Sequence, residues 1–190
     1  MAHTLIVLPD DTAQPILAAI DGASRTLLVK MFVFSDPSLL KAVIMARRRG
    51  VKVRVMLNRA RRSGEHDNEA TRKALERADI DVKDANPAFD LTHEKSMVVD
   101  EETAFVKSLN WATTNLTETR DYAVITTRRH DVAEMIECFE QAGFTTVVID
   151  LERWTRLPTP RRRLTPEFRS LPNDELLVSA FSVRLRPRRT

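Results

Sequence analysis

The sequence has a single cysteine and no long apolar run, and these two features argue against an internal disulfide and against a transmembrane helix. With only Cys138 among 190 residues, no internal disulfide is possible, and a reducing, cytoplasmic compartment is predicted. No apolar segment approaches the roughly 18–20 residues that span a bilayer, so no transmembrane helix is predicted. Residues 1–9 hold a short apolar stretch without a preceding basic residue, which indicates a strand rather than a signal peptide.

The body of the chain lacks the positive charge that its pI of about 9.3 suggests. Residues 156–190 contain nine arginines, three acidic residues and five of the nine prolines, whereas residues 1–155 carry a net charge of −3. We therefore predict one folded domain over residues 1–155. Residues 156–190 are predicted to be an irregular basic tail, either flexible or the truncated start of a second repeat.

Strands and helices alternate along the first half of the chain. The apolar patterns predict strands at 4–8, 26–34, 51–57 and 80–82, with helices at 12–24, 37–49 and 67–78 between them. The second half is predicted to form a hairpin from 91–99 and 103–109, a strand at 122–127, a helix at 131–142 and a short strand at 147–149. This order predicts an α/β domain with a mixed central sheet between helix layers.

The predicted hairpin carries four polar residues whose chemistry suits a phosphate. Alternate residues of a strand share a face, so His93 and Lys95 point the same way. A turn at residues 101–102 would place His93 opposite Asn110 and Lys95 opposite Ser108. Together they offer one nucleophile or proton carrier and three hydrogen-bond donors. A hairpin whose polar residues simply face water is the alternative, but four such residues in one register favour a phosphate site.

These residues also resemble a known family. His93, Lys95 and Asp100 form the pattern His-x-Lys-x-x-x-x-Asp, which resembles the HKD signature of the phospholipase D superfamily. Ser108 and Asn110 match the small-Ser-x-Asn element that follows this signature, although Lys107 stands where the family usually has glycine. The resemblance implies a phospholipase D-like fold and a phosphodiesterase that needs neither metal nor cofactor.

The resemblance implies a two-step displacement at phosphorus. One histidine attacks to form a covalent phosphohistidine, a second protonates the leaving alcohol, and water or another alcohol then releases the product. Lys95, Ser108 and Asn110 would bind the substrate phosphate. A carboxylate about ten residues beyond the asparagine, Asp121 with Glu118 as the alternative, would accept a hydrogen bond from the histidine.

Asp100 differs from the other signature residues in its predicted position. It lies an odd number of residues from His93, so on a regular strand it faces away from the phosphate cluster. We interpret it as a structural acceptor that holds the turn. Cys138 is predicted to be buried and inert on an apolar helix face.

The chain lacks a second copy of the signature, and His3, His66 and His130 are predicted to be surface residues. Because the mechanism needs two histidines, a C2 homodimer is predicted in which each copy contributes His93. The predicted substrate is a phospholipid, favoured by the mildly acidic body, or nucleic acid, favoured by the single motif. The alternative is a non-catalytic fragment or phosphate-binding module derived from a two-motif protein.

Overall fold

A seven-stranded mixed sheet forms the centre of the molecule. The computed structural model describes residues 3–58, 68–86 and 92–141. Its strands are β1 (Thr4–Leu8), β2 (Thr26–Met31), β3 (Lys52–Leu57), β4 (Asp81–Asp84), β5 (Lys95–Val99), β6 (Thr103–Lys107) and β7 (Asp121–Thr126). Its helices are α1 (Gln14–Gly22), α2 (Pro37–Arg48), α3 (Glu69–Arg77), α4 (Thr113–Thr117) and α5 (Arg129–Phe139). The strand predicted at 147–149 and the tail at 156–190 lie outside the described residues.

Helices cover both faces of the sheet, whose strand order is β1-β7-β6-β5-β2-β3-β4. β2, β3 and β4 are parallel neighbours, and the remaining neighbours are antiparallel. The main core unites α1, α2 and α3 with one sheet face, through buried residues such as Ile16, Val43 and Leu75. On the other face, α5 packs through Val132 and Phe139. The predicted α/β fold with a mixed sheet between helix layers is confirmed.

The beginning of α2 is fixed by a side-chain cap beside the end of β2. Asp36 accepts hydrogen bonds from the backbone N–H groups of Ser38 and Leu39, both at 3.0 Å, and Pro37 occupies the first turn. The second oxygen of Asp36 accepts a hydrogen bond from Thr113 at 2.8 Å. Asp36 therefore connects α2 to the short helix α4, which the sequence patterns did not predict.

The β5–β6 hairpin differs by one residue from its predicted register. Val99 opposes Thr103 and Ser96 opposes Val106, so the turn contains three residues rather than two. The predicted opposition of His93 to Asn110 and of Lys95 to Ser108 is therefore wrong. Extending the observed register by one residue beyond Ser96 and Val106 places Lys95 opposite Lys107.

Asp100 explains the shift, because its side chain binds the neighbouring strand instead of continuing the hairpin ladder. Its carboxylate accepts hydrogen bonds from the backbone N–H groups of Ser24 (2.9 Å), Arg25 (2.7 Å) and Thr26 (2.8 Å). The residue adopts a positive φ of 52°. Burial acts to raise its pKa, but these hydrogen bonds outweigh it and lower the pKa to about 2. The predicted structural role of Asp100 is confirmed.

We expect Asp100→Asn to lower the free energy of unfolding at pH 7 by about 1–3 kcal/mol, because three backbone donors lose a charged acceptor. Because folding lowers the pKa of Asp100, its carboxylate stabilises the folded state at pH values above its ordinary pKa of 3.8. This contribution is lost as the pH falls toward 2. The deficit of the variant should therefore shrink across that interval. Urea unfolding at pH 7 and between pH 4 and 2 measures both effects. Glu101→Gln in the same turn is the control, and equal stability of Asp100→Asn and wild type would contradict the assignment.

Cys138 was predicted to be buried, but the structure places it at the exposed surface of α5. The stripe of α5 that packs on the sheet contains Val132, Met135, Ile136 and Phe139. Cys138 lies about 100° around the helix from the centre of that stripe.

Among the described residues, no helix has the length and apolar character required to cross a membrane.

Candidate active site

His93 and Lys95 meet where β5 begins. Lys95 is only 4% exposed, and its Nζ lies 3.0 Å from His93 Nε2 and donates to the His93 carbonyl oxygen at 3.1 Å. The ring of Phe32 contacts both side chains, with its centroid 4.6 Å from that of His93 and 5.0 Å from Lys95 Nζ. The imidazole itself is exposed. The Phe32 ring thus contacts both a buried ammonium and the accessible imidazole beside it.

The contact between these residues determines the protonation state of the imidazole. An ammonium can only donate, so His93 Nε2 accepts from Lys95 and keeps its lone pair while Nδ1 carries the proton. Burial, and then the charge of Lys95, lower the pKa of His93 below 6.5. Burial also lowers the pKa of Lys95 to about 8, which the charge of Asp121 partly opposes. At neutral pH the arrangement therefore presents a neutral imidazole next to a cation.

Ser108 and Asp121 form a second polar group just beyond β6. Ser108 donates through Oγ to Asp121 at 2.6 Å and accepts from the backbone N–H of Tyr122 at 2.9 Å. Asp121 also accepts from Thr119 at 2.6 Å and from Asn115 at 3.4 Å. Within the described ranges no hydrogen bond joins Asp121 to His93. The orientation of His93 by Asp121 stays a prediction, as does the alternative of Glu118, which is exposed after α4.

Asn110 and Trp111 follow Ser108 and bring the loop after β6 against the end of β2. Trp111 donates its backbone N–H to the Val33 carbonyl oxygen at 3.0 Å and stacks edge-on with Phe34 at 4.7 Å. This anchoring fixes the preceding residue, Asn110. The amide oxygen of Asn110 is buried and has no hydrogen-bond partner in the described part of the chain.

The structure separates Asp100 from the other predicted site residues. It lies at the opposite end of β5 from Lys95, about 16 Å along the strand, where it holds the turn. Asp100 therefore belongs to the scaffold and not to the group of residues around His93, as its position in the sequence had indicated.

An ion pair behind His93 was missed in the sequence. Lys30 of β2 donates to Glu94 at 2.8 Å, and Ser96 donates to the other oxygen of the same carboxylate at 2.8 Å. Lys30 is 3% exposed and also donates to the carbonyl oxygen of Cys138 at 3.2 Å. Glu94 thus fixes the chain between His93 and Lys95 from the face of the sheet that α5 covers. Strand alternation assigns Glu94 to that face, but the sequence does not reveal its partner on β2.

A second histidine is absent from the neighbourhood of His93 in the described part of one copy. His3 precedes β1 at the end away from Leu8, the residue that pairs with Asp121. His130 is the second residue of α5, which follows Thr126 at the opposite end of β7 from Asp121, and it is exposed. His66 lies outside the described residues. One described copy therefore supplies a single imidazole to this site.

Comparison with known proteins identifies the family of the chain. Residues 16–142 match the family described as cardiolipin synthase, PLD-like domain. The human mitochondrial cardiolipin hydrolase is 32% identical over 127 residues, which cover 66% of this chain and 48% of that protein. A phospholipase D of Rickettsia conorii is 32% identical over 92 residues, which cover 48% of this chain and 44% of that protein. The chain thus spans about half the length of these relatives.

Solved structures share the fold. The phospholipase D family member Nuc of Salmonella typhimurium superposes with a TM-score of 0.66 at 22% identity, covering 75% of this chain and 95% of Nuc. NucT of Helicobacter pylori gives a TM-score of 0.63 at 15% identity, covering 74% of this chain and 94% of NucT. With the family match over more than half of its length, the chain belongs to the PLD-like domain family of the phospholipase D superfamily.

Proposed function

We propose that the protein is a metal-independent phosphodiesterase that acts through a covalent phosphohistidine on His93. The observation that carries this proposal is the hydrogen bond of 3.0 Å from Lys95 Nζ to His93 Nε2. It joins an accessible imidazole, whose Nε2 lone pair accepts this hydrogen bond, to a cation that can bind a phosphate oxygen. Family membership supports the same reaction class.

The first step follows from the protonation states of these groups. A bound phosphate oxygen would take the hydrogen bond from Lys95, which releases the lone pair of His93 Nε2. That nitrogen attacks phosphorus and the bond to the alcohol oxygen breaks. A second histidine, which enters this step as the protonated imidazolium, donates its proton to the departing oxygen and becomes neutral. In the second step the same histidine takes a proton from water, the water oxygen attacks phosphorus, and the P–N bond to His93 breaks. Lys95 and Asn110 would bind the phosphate oxygens throughout, and Ser108 would join them by rotating its hydroxyl away from Asp121.

The second histidine is proposed to be His93 of another copy in a C2 homodimer. Entering and leaving groups lie on opposite sides of phosphorus, so one imidazole cannot serve both. The exposure of His93, and the distance of His3 and His130 from it along the strands, support a site completed by a second chain. The proposed catalytic domain spans residues 1–155, which include the whole family match, and residues 156–190 are its proposed tail.

The proposed substrate is the phosphodiester of a phospholipid or of nucleic acid. Relatives named cardiolipin hydrolase and phospholipase D favour a phospholipid. The likeness to Nuc and NucT adds support for the fold alone. A cytoplasmic location is proposed from the single cysteine, although the human relative is named mitochondrial.

We expect turnover in a panel containing an aryl phosphodiester, cardiolipin, phosphatidylcholine, single-stranded and duplex DNA, and RNA, each with excess EDTA. Activity should survive the chelator because Lys95 and Asn110, rather than a metal, neutralise the phosphate. Initial rates with and without EDTA and Mg²⁺ measure this. Complete loss on chelation that Mg²⁺ restores would exclude the proposed mechanism.

A non-catalytic phosphate-binding module is the second candidate. The single imidazole in the described part of one copy favours it, because a phosphate-binding site can keep the motif without a second histidine. A strictly monomeric chain without turnover on the whole panel would support this alternative.

A further inference from the structure

Lys107 is a buried cation beside the proposed site that the mechanism does not use. It ends β6 directly before Ser108 and is 7% exposed. Its Nζ has no hydrogen-bond partner in the described ranges and lies 4.5 Å from the centroid of the Trp111 ring. Burying an ammonium without an anionic partner costs roughly several kcal/mol of folding free energy, so the burial of Lys107 requires an explanation.

The register of the hairpin places Lys107 on the same sheet face as Lys95. Ser96 opposes Val106 in the last pair of the ladder, and extending this register by one residue places Lys95 opposite Lys107. Opposed residues of antiparallel strands share a face, with Cβ atoms about 5 Å apart. Lys95 leans along its strand toward His93, and Lys107 leans toward Trp111, which is the same end of the hairpin. Both ammonium groups therefore belong to the end of the sheet that holds the proposed site.

Two further polar atoms, three and four residues after Lys107 in the sequence, lack hydrogen-bond partners. Asn110 Oδ1 and Trp111 Nε1 are buried without a hydrogen bond in the described part of the chain. More than about 90% of buried polar groups in proteins are hydrogen-bonded, so three orphans within five consecutive residues indicate a missing ligand. Lysine and tryptophan can only donate, and the asparagine amide can present its NH₂ group by rotation. A set rich in donors fits an anion.

We propose that Lys107 is a second phosphate-binding ammonium of this site and contacts the anionic group that Lys95 and Asn110 also bind. This inference rests on the proposed function, because it takes the anion to be the phosphate of the substrate. Burial lowers the pKa of Lys107 to about 7, with the charge of Glu94 opposing, so an incoming phosphate would also stabilise the protonated form. The Trp111 ring contacts the Lys107 ammonium through a cation–π interaction.

Calorimetric titration of the full chain with inorganic phosphate tests the proposal. Lys107→Met removes the charge and retains the buried apolar chain, whereas Lys107→Arg retains the charge. We expect phosphate affinity to fall about 10-fold or more in Lys107→Met, the effect of losing one hydrogen bond to a charged group, and to be largely retained in Lys107→Arg. Lys41→Met, which removes an exposed charge from α2, is the matched control and should bind like wild type. Circular dichroism verifies that each variant is folded.

Lys95→Met separates failure of this inference from failure of the proposed function. Weaker binding in both Lys95→Met and Lys107→Met supports the inference. Weaker binding in Lys95→Met alone, with Lys107→Met within twofold of wild type, overturns it and leaves the proposed site intact. Unchanged binding in both variants would overturn the inference and the phosphate site together. With a turned-over substrate, Lys107→Met should raise KM more than it lowers kcat, which a purely structural role would not produce.

Discussion

Replacement of His93 by alanine is expected to lower phosphodiester turnover at least about 1,000-fold, since loss of a covalent nucleophile leaves only binding and electrostatic effects. The fold should persist, because His93 is exposed and contacts chiefly Phe32 and Lys95. Initial rates on the best substrate of the panel and urea unfolding curves measure the two properties. The variant should unfold within about 0.5 kcal/mol of wild type.

His130→Ala is the matched control for His93→Ala. His130 is the other described histidine of the motif half of the chain, and its exposed ring at the start of α5 lies away from the proposed site. This variant should keep the wild-type rate. A His93→Ala protein that retains even a tenth of that rate would exclude His93 as the nucleophile.

Mixed dimers are expected to reveal the requirement for two copies of His93. If each site needs the imidazole of both chains, a dimer of one wild-type and one His93→Ala chain is inactive. With random pairing, an equal amount of His93→Ala chain should then halve the rate of a fixed amount of wild type, and a ninefold excess should reduce it to about a tenth. Independent sites would leave the rate unchanged at every ratio.

The mixing experiment requires that the chains exchange partners. Parallel samples assayed immediately after mixing provide the control, because unexchanged dimers keep the full wild-type rate. Light scattering of the wild-type chain at the same concentrations establishes whether it is a dimer. A monomer that retains full activity after dilution would contradict the shared site.

The sequence predicted the fold because its signals are local. The cap at Asp36, the closing Gly50 with a φ of 95° and the apolar alternation of β3 each fix an element without reference to distant residues. The signature at residues 93–110 likewise brought His93 and Lys95 together, because they lie two residues apart at the beginning of β5. Local spacing alone is therefore sufficient to predict these elements and this pair of residues.

The register of the hairpin could not be predicted, since it depends on a contact across 75 residues of chain. Asp100 pairs with the backbone of residues 24–26, and this contact adds one residue to the turn. With this shift the register, extended by one residue, places Lys107 rather than Ser108 opposite Lys95. The ion pair of Lys30 with Glu94 escaped prediction for the same reason, because its two residues are joined only in the folded sheet.

The covalent intermediate is the central claim, and direct trapping tests it most closely. A single-turnover reaction should be quenched in alkali, because phosphohistidine is labile in acid, and then examined by mass spectrometry of the intact chain and its peptides. We expect one phosphoryl-linked half of the substrate per active site, attached to His93, in the presence of EDTA and absent from His93→Ala. Turnover without any adduct under these conditions, or an adduct on another residue, would contradict the proposed mechanism.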